Sequence, residues 1–233
     1  MRVWDIHPGY LNRESLLGEH REIHAIFSIL TQNKKGYSRH PETLRWKKKL
    51  PALKARHDAV VAEMMLRGYR HQSPLKSGGK IRWPETFIDP PARQFQILTE
   101  KYRNRAWGRI PLPKNIQQLW AQHKYSTLAR DPHCYRAIGR EVSFRDGKFS
   151  FDNLSHKLVE LLRTPVTSGR LENALLHMWG YVSSFKEPNA KKIIHGPSRE
   201  ILENIQRLAL EKKVSYLLES TALSESVPHR RKK

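Results

Sequence analysis

The chain has 233 residues, 38% of them hydrophobic, and sets 43 Lys and Arg against 22 Asp and Glu, for a net charge of +21 and a pI near 10.3. That composition supports a buried core in one large or two small domains. It offers no apolar run near the ~20 residues of a bilayer span and no apolar leader, so a cytoplasmic, nucleoid-associated protein is expected, and Cys134 as sole cysteine excludes an intrachain disulfide or a cysteine zinc cage. Both halves share the basic excess, 21 basic against 10 acidic residues over 1–107 and 22 against 12 over 108–233, which points to nucleic acid rather than an anionic membrane as partner.

Helical spacing runs from Arg13 to Gln32, with Leu16, Ile23, Phe27 and Leu30 on the apolar stripe and Glu19, Arg21 and Glu22 away from its centre. Gly36 is the expected stop. Pro41 opens a short segment through Leu50, and Pro51 a longer one that ends at Gly68. Residues 71–91, rich in Ser, Pro and Gly, read as a long loop, and helical spacing resumes from Ala92 to Trp107. Pro111 and Pro113 mark a boundary, so the expected domains are 1–109, 110–227 and a basic tail at 228–233. The second half predicts helices over 116–129, 134–142, 151–162, 171–185 and 197–218, with a small hairpin about Asp146-Gly147 as the one strand-like hint. The fold class expected is all-α, two helical domains in tandem, with the long loop in the first.

Chemistry concentrates at the N-terminus. An α-amine, with an unperturbed pKa of about 8, is a usable nucleophile near neutral pH and forms imines with carbonyl carbons. Arg2 is too bulky for easy removal of the initiator, so that amine belongs to Met1. On the first helix Glu22 lies between His20 and His24, two imidazoles four apart on one face, as some zinc ligands are. The order His-x-Glu-x-His is not the metalloprotease motif and no third ligand is marked, so no metal and no cofactor are expected. Taken alone, Glu22 reads first as a surface carboxylate paired with Arg21 or His20.

The segment Leu16-Leu-Gly-Glu-His-Arg-Glu-Ile-His-Ala-Ile-Phe27 resembles the first helix of the phage endonuclease V family of pyrimidine-dimer DNA glycosylases. With no gap, Met1 falls on that family's mature N-terminal residue and Arg2-Val3 on its Arg-aliphatic pair. Leu66-Arg-Gly-Tyr69 resembles the end of its second long helix, and Leu98-Thr-Glu-Lys101 with Arg105 and Trp107 its closing helix and aromatic tail. His7-Pro-Gly-Tyr-Leu11 is closer to the family's cellular members. The resemblance spans residues 1 to about 107. It implies Met1 as the amine that attacks the sugar C1′ and Glu22 as the carboxylate that stabilises the cationic sugar and assists β-elimination. Arg2, Arg21, His20, Lys101 and Arg105 would be DNA contacts, and the partner double-stranded DNA bearing a damaged or modified base. One departure stands out: a family arginine one turn after the glutamate is Ala25 here.

In the second half, Trp120–Arg130, Tyr135–Arg140 and Thr164–Tyr181 resemble a helical domain of unknown function also found attached to thiouracil desulfurases. His123, Lys124, Tyr125, Arg130, Arg136, Arg140, Arg170 and His177 could line a nucleic-acid groove; equally, Trp120, Tyr135, Trp179 and Tyr181 fall at core spacings. The functions compatible with the whole chain are a glycosylase with apurinic-site lyase activity, a non-catalytic DNA-binding module of a repair or anti-phage system, and a metal-dependent hydrolase at His20 and His24.

Overall fold

The computed structural model describes residues 1–143, 150–185, 187 and 189–227. Those residues form eleven α-helices and three short 3-10 turns with no strand, so the chain is all-α. The expected hairpin about Asp146-Gly147 and the tail at 228–233 lie outside the described residues. No described helix is long and apolar enough to cross a membrane. The chain divides into two compact units, Met1–Gly108 and Arg109–Lys233.

In the first unit, α1 (Arg13–Gln32) starts where the Asn12 side chain accepts a bond from Ser15 N–H, 2.9 Å, which satisfies one of the orphan donors of the first turn. It ends at Asn33, which adopts the left-handed conformation (φ 51°), three residues before the expected Gly36. Asparagine tolerates that conformation because its short amide can bond locally. The inward stripe of α1 is Leu16, Glu19, Ile23, Ile26 and Ile29. Glu19 therefore belongs to the core face, and Phe27 and Leu30 are only half-buried. The periodicity excluded Glu19 because it is charged, and its partner is too distant in sequence for periodicity to show.

That partner is Arg56 on α3 (Leu50–Leu66), which reaches both Glu19 oxygens at 2.8 and 2.9 Å and donates to the carbonyl of Ile6 at 2.8 Å. Burial pushes the Glu19 carboxyl up, while Arg56 and the Trp4 N–H pull against that shift. Arg45 on α2 (Pro41–Trp46) bonds Asp5, Glu42 and the carbonyl of Val3, at 2.9, 2.7 and 3.1 Å. Arg67, just past α3, bonds Glu63 and the carbonyls of Leu11 and Gly9, at 2.8, 2.8 and 3.1 Å. Three arginines, each neutralised by a carboxylate, thus hold the backbone of residues 3–11, a segment whose only regular structure is a 3-10 turn at Pro8–Tyr10. The unit closes with α4 (Pro91–Lys101), shorter than expected because the chain leaves helical geometry after Tyr102. Gln94 on α4 ties it to the N-terminal segment by accepting from Asp5 N–H at 2.8 Å. Residues 69–90 contain no helix or strand, as expected of the long loop.

Gly108 ends the unit against the 3-10 turn. A Cβ at this position would lie 2.5 Å from the carbonyl carbon and oxygen of Tyr10, atoms that cannot rotate away. Gly108→Ala should therefore cost about 1–3 kcal/mol, measured as a lower urea midpoint with an unchanged slope.

The second unit is built on α5 (Ile116–Leu128), against which α6 (Pro132–Ser143), α7 (Phe151–Leu162) and α8 (Ser168–Trp179) pack. Asn115 caps α5 by accepting from Gln118 N–H, and Asp131 satisfies two N–H groups at the start of α6. The remaining elements are α9 (Ala190–Ile194), α10 (Ser198–Glu211) and α11 (Ser215–Leu218). α9 had no counterpart in the sequence reading, and the expected helix over 197–218 is two, broken where Lys213 takes a positive φ of 51°.

Candidate active site

The N-terminal segment is fixed to α1 at Glu19, whose Oε1 accepts from Trp4 N–H at 3.0 Å. At its other end Met1 places Sδ 3.9 Å from the Thr43 hydroxyl, and Thr43 lines a cleft with Ile29, Leu30 and Asn33 of the last turns of α1. The N-terminal segment is thus tied to α1 at Glu19 and to α2 at Thr43. Glu22 lies one turn beyond Glu19 on α1. Met1 and Glu22 are both half-buried.

Cations gather at the start of α1. Lys101 donates to the Ser15 hydroxyl at 3.0 Å, and its ammonium is pushed below its usual range by burial, then by Arg105 and Arg2, with Glu14 opposing. Arg2, Lys101 and Arg105 thus act electrostatically on one region. Arg2 is held by Asp89 at 2.7 Å and lies 4.8 Å from the Trp4 ring centroid. Arg21 and Arg105 are exposed. Ser15, Glu19 and Glu22 recur at i, i+4 and i+7, so one side of α1 receives Lys101, the N-terminal backbone and the candidate carboxylate in turn.

His20 turns to another set of side chains. Its ring lies 4.6 to 5.1 Å from those of His24, His57 and His71, and the ligand nitrogens of the four all lie within 4.8 Å of one another. Burial, then His24 and the other two imidazoles, push His20 down to about 4; burial also lowers His24 and His71. The His20 ring is neutral at pH 7. Nε2 of His20 and of His57 is buried without a hydrogen-bond partner, an arrangement that costs roughly 1–3 kcal/mol per group. The sequence marks His20 and His24 but gives no third ligand. His57 comes from α3 and His71 from the loop, at spacings that match no zinc motif, and only the fold unites them.

In the second unit, several residues proposed for a groove are core instead. His123 is buried, which pushes its imidazole down to about 3. Arg130 is spent on Glu225, at 2.7 and 2.9 Å, and on the carbonyls of Ser126 and Thr164. Tyr125 is buried as well, and Trp179 is core, as its spacing suggested. Lys124 sits 4.8 Å from the rings of both Tyr125 and Tyr216, and Tyr216 stacks on the partly exposed Tyr181, centroids 4.6 Å apart. Arg136, Arg140, Arg170 and His177 remain exposed.

Fold and charge define a strongly basic all-α protein of two helical units. Within it, residues 1–77 match the model of the pyrimidine dimer DNA glycosylase family, and residues 124–226 match a family of proteins of unknown function (DUF1722). No curated protein and no solved structure gives a significant match to the chain.

Proposed function

We propose that residues 1–109 form a DNA glycosylase with apurinic-site lyase activity that acts on a damaged or modified pyrimidine nucleotide. The observation that carries this reading is the likeness of residues 1–77 to the pyrimidine dimer DNA glycosylases. The anchoring of the N-terminal segment at Glu19, one turn from Glu22 on α1, supports it.

The Met1 amine, in its neutral form, attacks C1′ of the damaged nucleotide. The base departs with the electron pair of the glycosidic bond and takes up a proton, and the amine nitrogen is left joined to C1′ as an imine once the sugar ring opens. Glu22 stabilises the cationic sugar and assists removal of a C2′ proton. The electrons of that C–H bond then expel the 3′ phosphate, which breaks the strand. Arg2, Arg21, Lys101 and Arg105 bind the flanking phosphates. The substrate is a duplex opened at the lesion, because C1′ is shielded inside an intact stack. The second unit, 110–227, and the tail at 228–233 add backbone contacts to DNA.

Borohydride reduction during turnover tests the proposal. It should convert the imine into a stable secondary amine and leave the chain cross-linked to lesion-bearing or abasic DNA through Met1, as read by peptide mass mapping. Residues added before Met1 should abolish the cross-link. Undiminished cross-linking by the extended chain would overturn the assignment of the nucleophile. Salt-sensitive binding without any turnover on a panel of defined pyrimidine lesions would show a non-catalytic DNA-binding module instead.

A further inference from the structure

The four imidazoles of His20, His24, His57 and His71 take no part in the chemistry proposed above. Their arrangement is difficult to explain as ordinary core. His57 is 1% exposed and its Nε2 has no hydrogen-bond partner, nor has that of His20. Buried polar atoms in folded proteins are nearly always satisfied. The other nitrogen of His57, Nδ1, lies 3.2 Å from the Asp58 carboxylate. A proton on Nδ1 satisfies that contact and leaves the lone pair on the unpartnered Nε2. Carboxylates fix the ring orientation and tautomer of metal-binding histidines in this way.

The Ser73 hydroxyl lies 3.5 Å from Nε2 of His24 and 3.4 Å from Nε2 of His71, contacts at the long limit that a metal ion would displace. All four ligand nitrogens lie within 4.8 Å of one another. A tetrahedral zinc ion with Zn–N bonds of about 2.0–2.1 Å requires nitrogens about 3.3 Å apart, so the rings must draw together by up to about 1.5 Å on binding. The donors are all imidazole nitrogens, which suit zinc, copper and nickel rather than magnesium or calcium. Burial lowers the basicity of His20, His24 and His71, which favours the uncharged form that a metal ligand needs.

We propose that His20 and His24 of α1, His57 of α3 and His71 of the long loop bind one divalent transition-metal ion of the zinc class. With four protein ligands the ion has no open position, so its role is structural. It fastens the start of the irregular stretch at residues 69–90 to both long helices of the first unit. Two of its ligands flank Arg21 and Glu22 on α1, so the same ion stiffens the turn that carries the candidate carboxylate. The proposal does not depend on the glycosylase reading and is tested without an activity assay.

The full chain, prepared without a polyhistidine tag and stripped with a chelator, should take up one Zn(II) that survives gel filtration, with a higher thermal midpoint. Co(II) in its place should give the visible absorption of a tetrahedral nitrogen-ligated ion. His71→Ala changes a loop residue and should leave the circular dichroism spectrum unchanged while zinc retention falls at least tenfold; His24→Ala should do the same. A stripped chain that retains no zinc would overturn the proposal. Retention of one zinc per chain by both variants would overturn it too, because the metal would then lie on other surface histidines.

Discussion

Glu22→Gln should lower strand cleavage by about 10²–10⁴-fold, the range spanned by a positioned acid-base group, while binding to lesion-bearing DNA changes little. Glutamine keeps the size and hydrogen-bonding reach of the side chain but removes the negative charge that opposes the cationic sugar, and it cannot accept the C2′ proton. Glu22 is half-buried on α1 and is not needed to hold the core, so the unfolding midpoint should stay near that of the parent. Single-turnover kinetics on an abasic duplex, compared with binding at matched salt, separates the two quantities. A variant that cleaves at the parental rate would remove Glu22 from the reaction.

A second large effect should come from Glu19, one turn away on the same helix. Glu19→Leu should destabilise the first unit by about 3–5 kcal/mol, because it leaves the Arg56 guanidinium buried without its counter-charge. The Trp4 N–H loses its acceptor at the same time. A denaturant titration measures the loss. Glu19→Leu paired with Arg56→Met should recover much of it, since an apolar pair of similar volume removes the uncompensated charge. Two glutamates of one helix would thereby be assigned different work, Glu19 in the core and Glu22 at the reacting sugar.

How much of this was legible beforehand depends on the range of the interactions involved. Helix existence was readable because it rests on local periodicity and on caps a few residues away: α5 and α7 begin within a residue or two of the expected position, behind Asn115 and Ser150. Helix ends were less so. The stop at Asn33 needs a left-handed residue that composition does not single out from Gly36, and the break at Lys213 carries no glycine or proline. The N-terminal chemistry is proposed from resemblance, not from spacing, since an amine and a carboxylate far apart in sequence say nothing of their separation in space. Least legible were the long-range polar contacts. Glu19 was read as outward because Arg56 lies 37 positions away, and the histidine cluster stayed incomplete because His57 and His71 reach it only through the packing of α3 and the path of the loop. In the second unit Arg130, a candidate to line a groove, is tied up instead for the same reason: Glu225 is 95 residues distant.

The three arginines that hold residues 3–11 bind main-chain carbonyls, those of Val3, Ile6, Gly9 and Leu11. Carbonyls are the same in every residue, so this grip reads the number of residues ahead of each anchor rather than their identity. The N-terminal segment is held like a docked peptide whose receptor is the rest of its own chain. Its register is thereby set, and inserting one residue between Met1 and Val3 would carry the amine about 3.3–3.6 Å further along an extended path, more than a bond-forming approach tolerates. On the proposed reading, the length of this segment is then what sets the place of the amine.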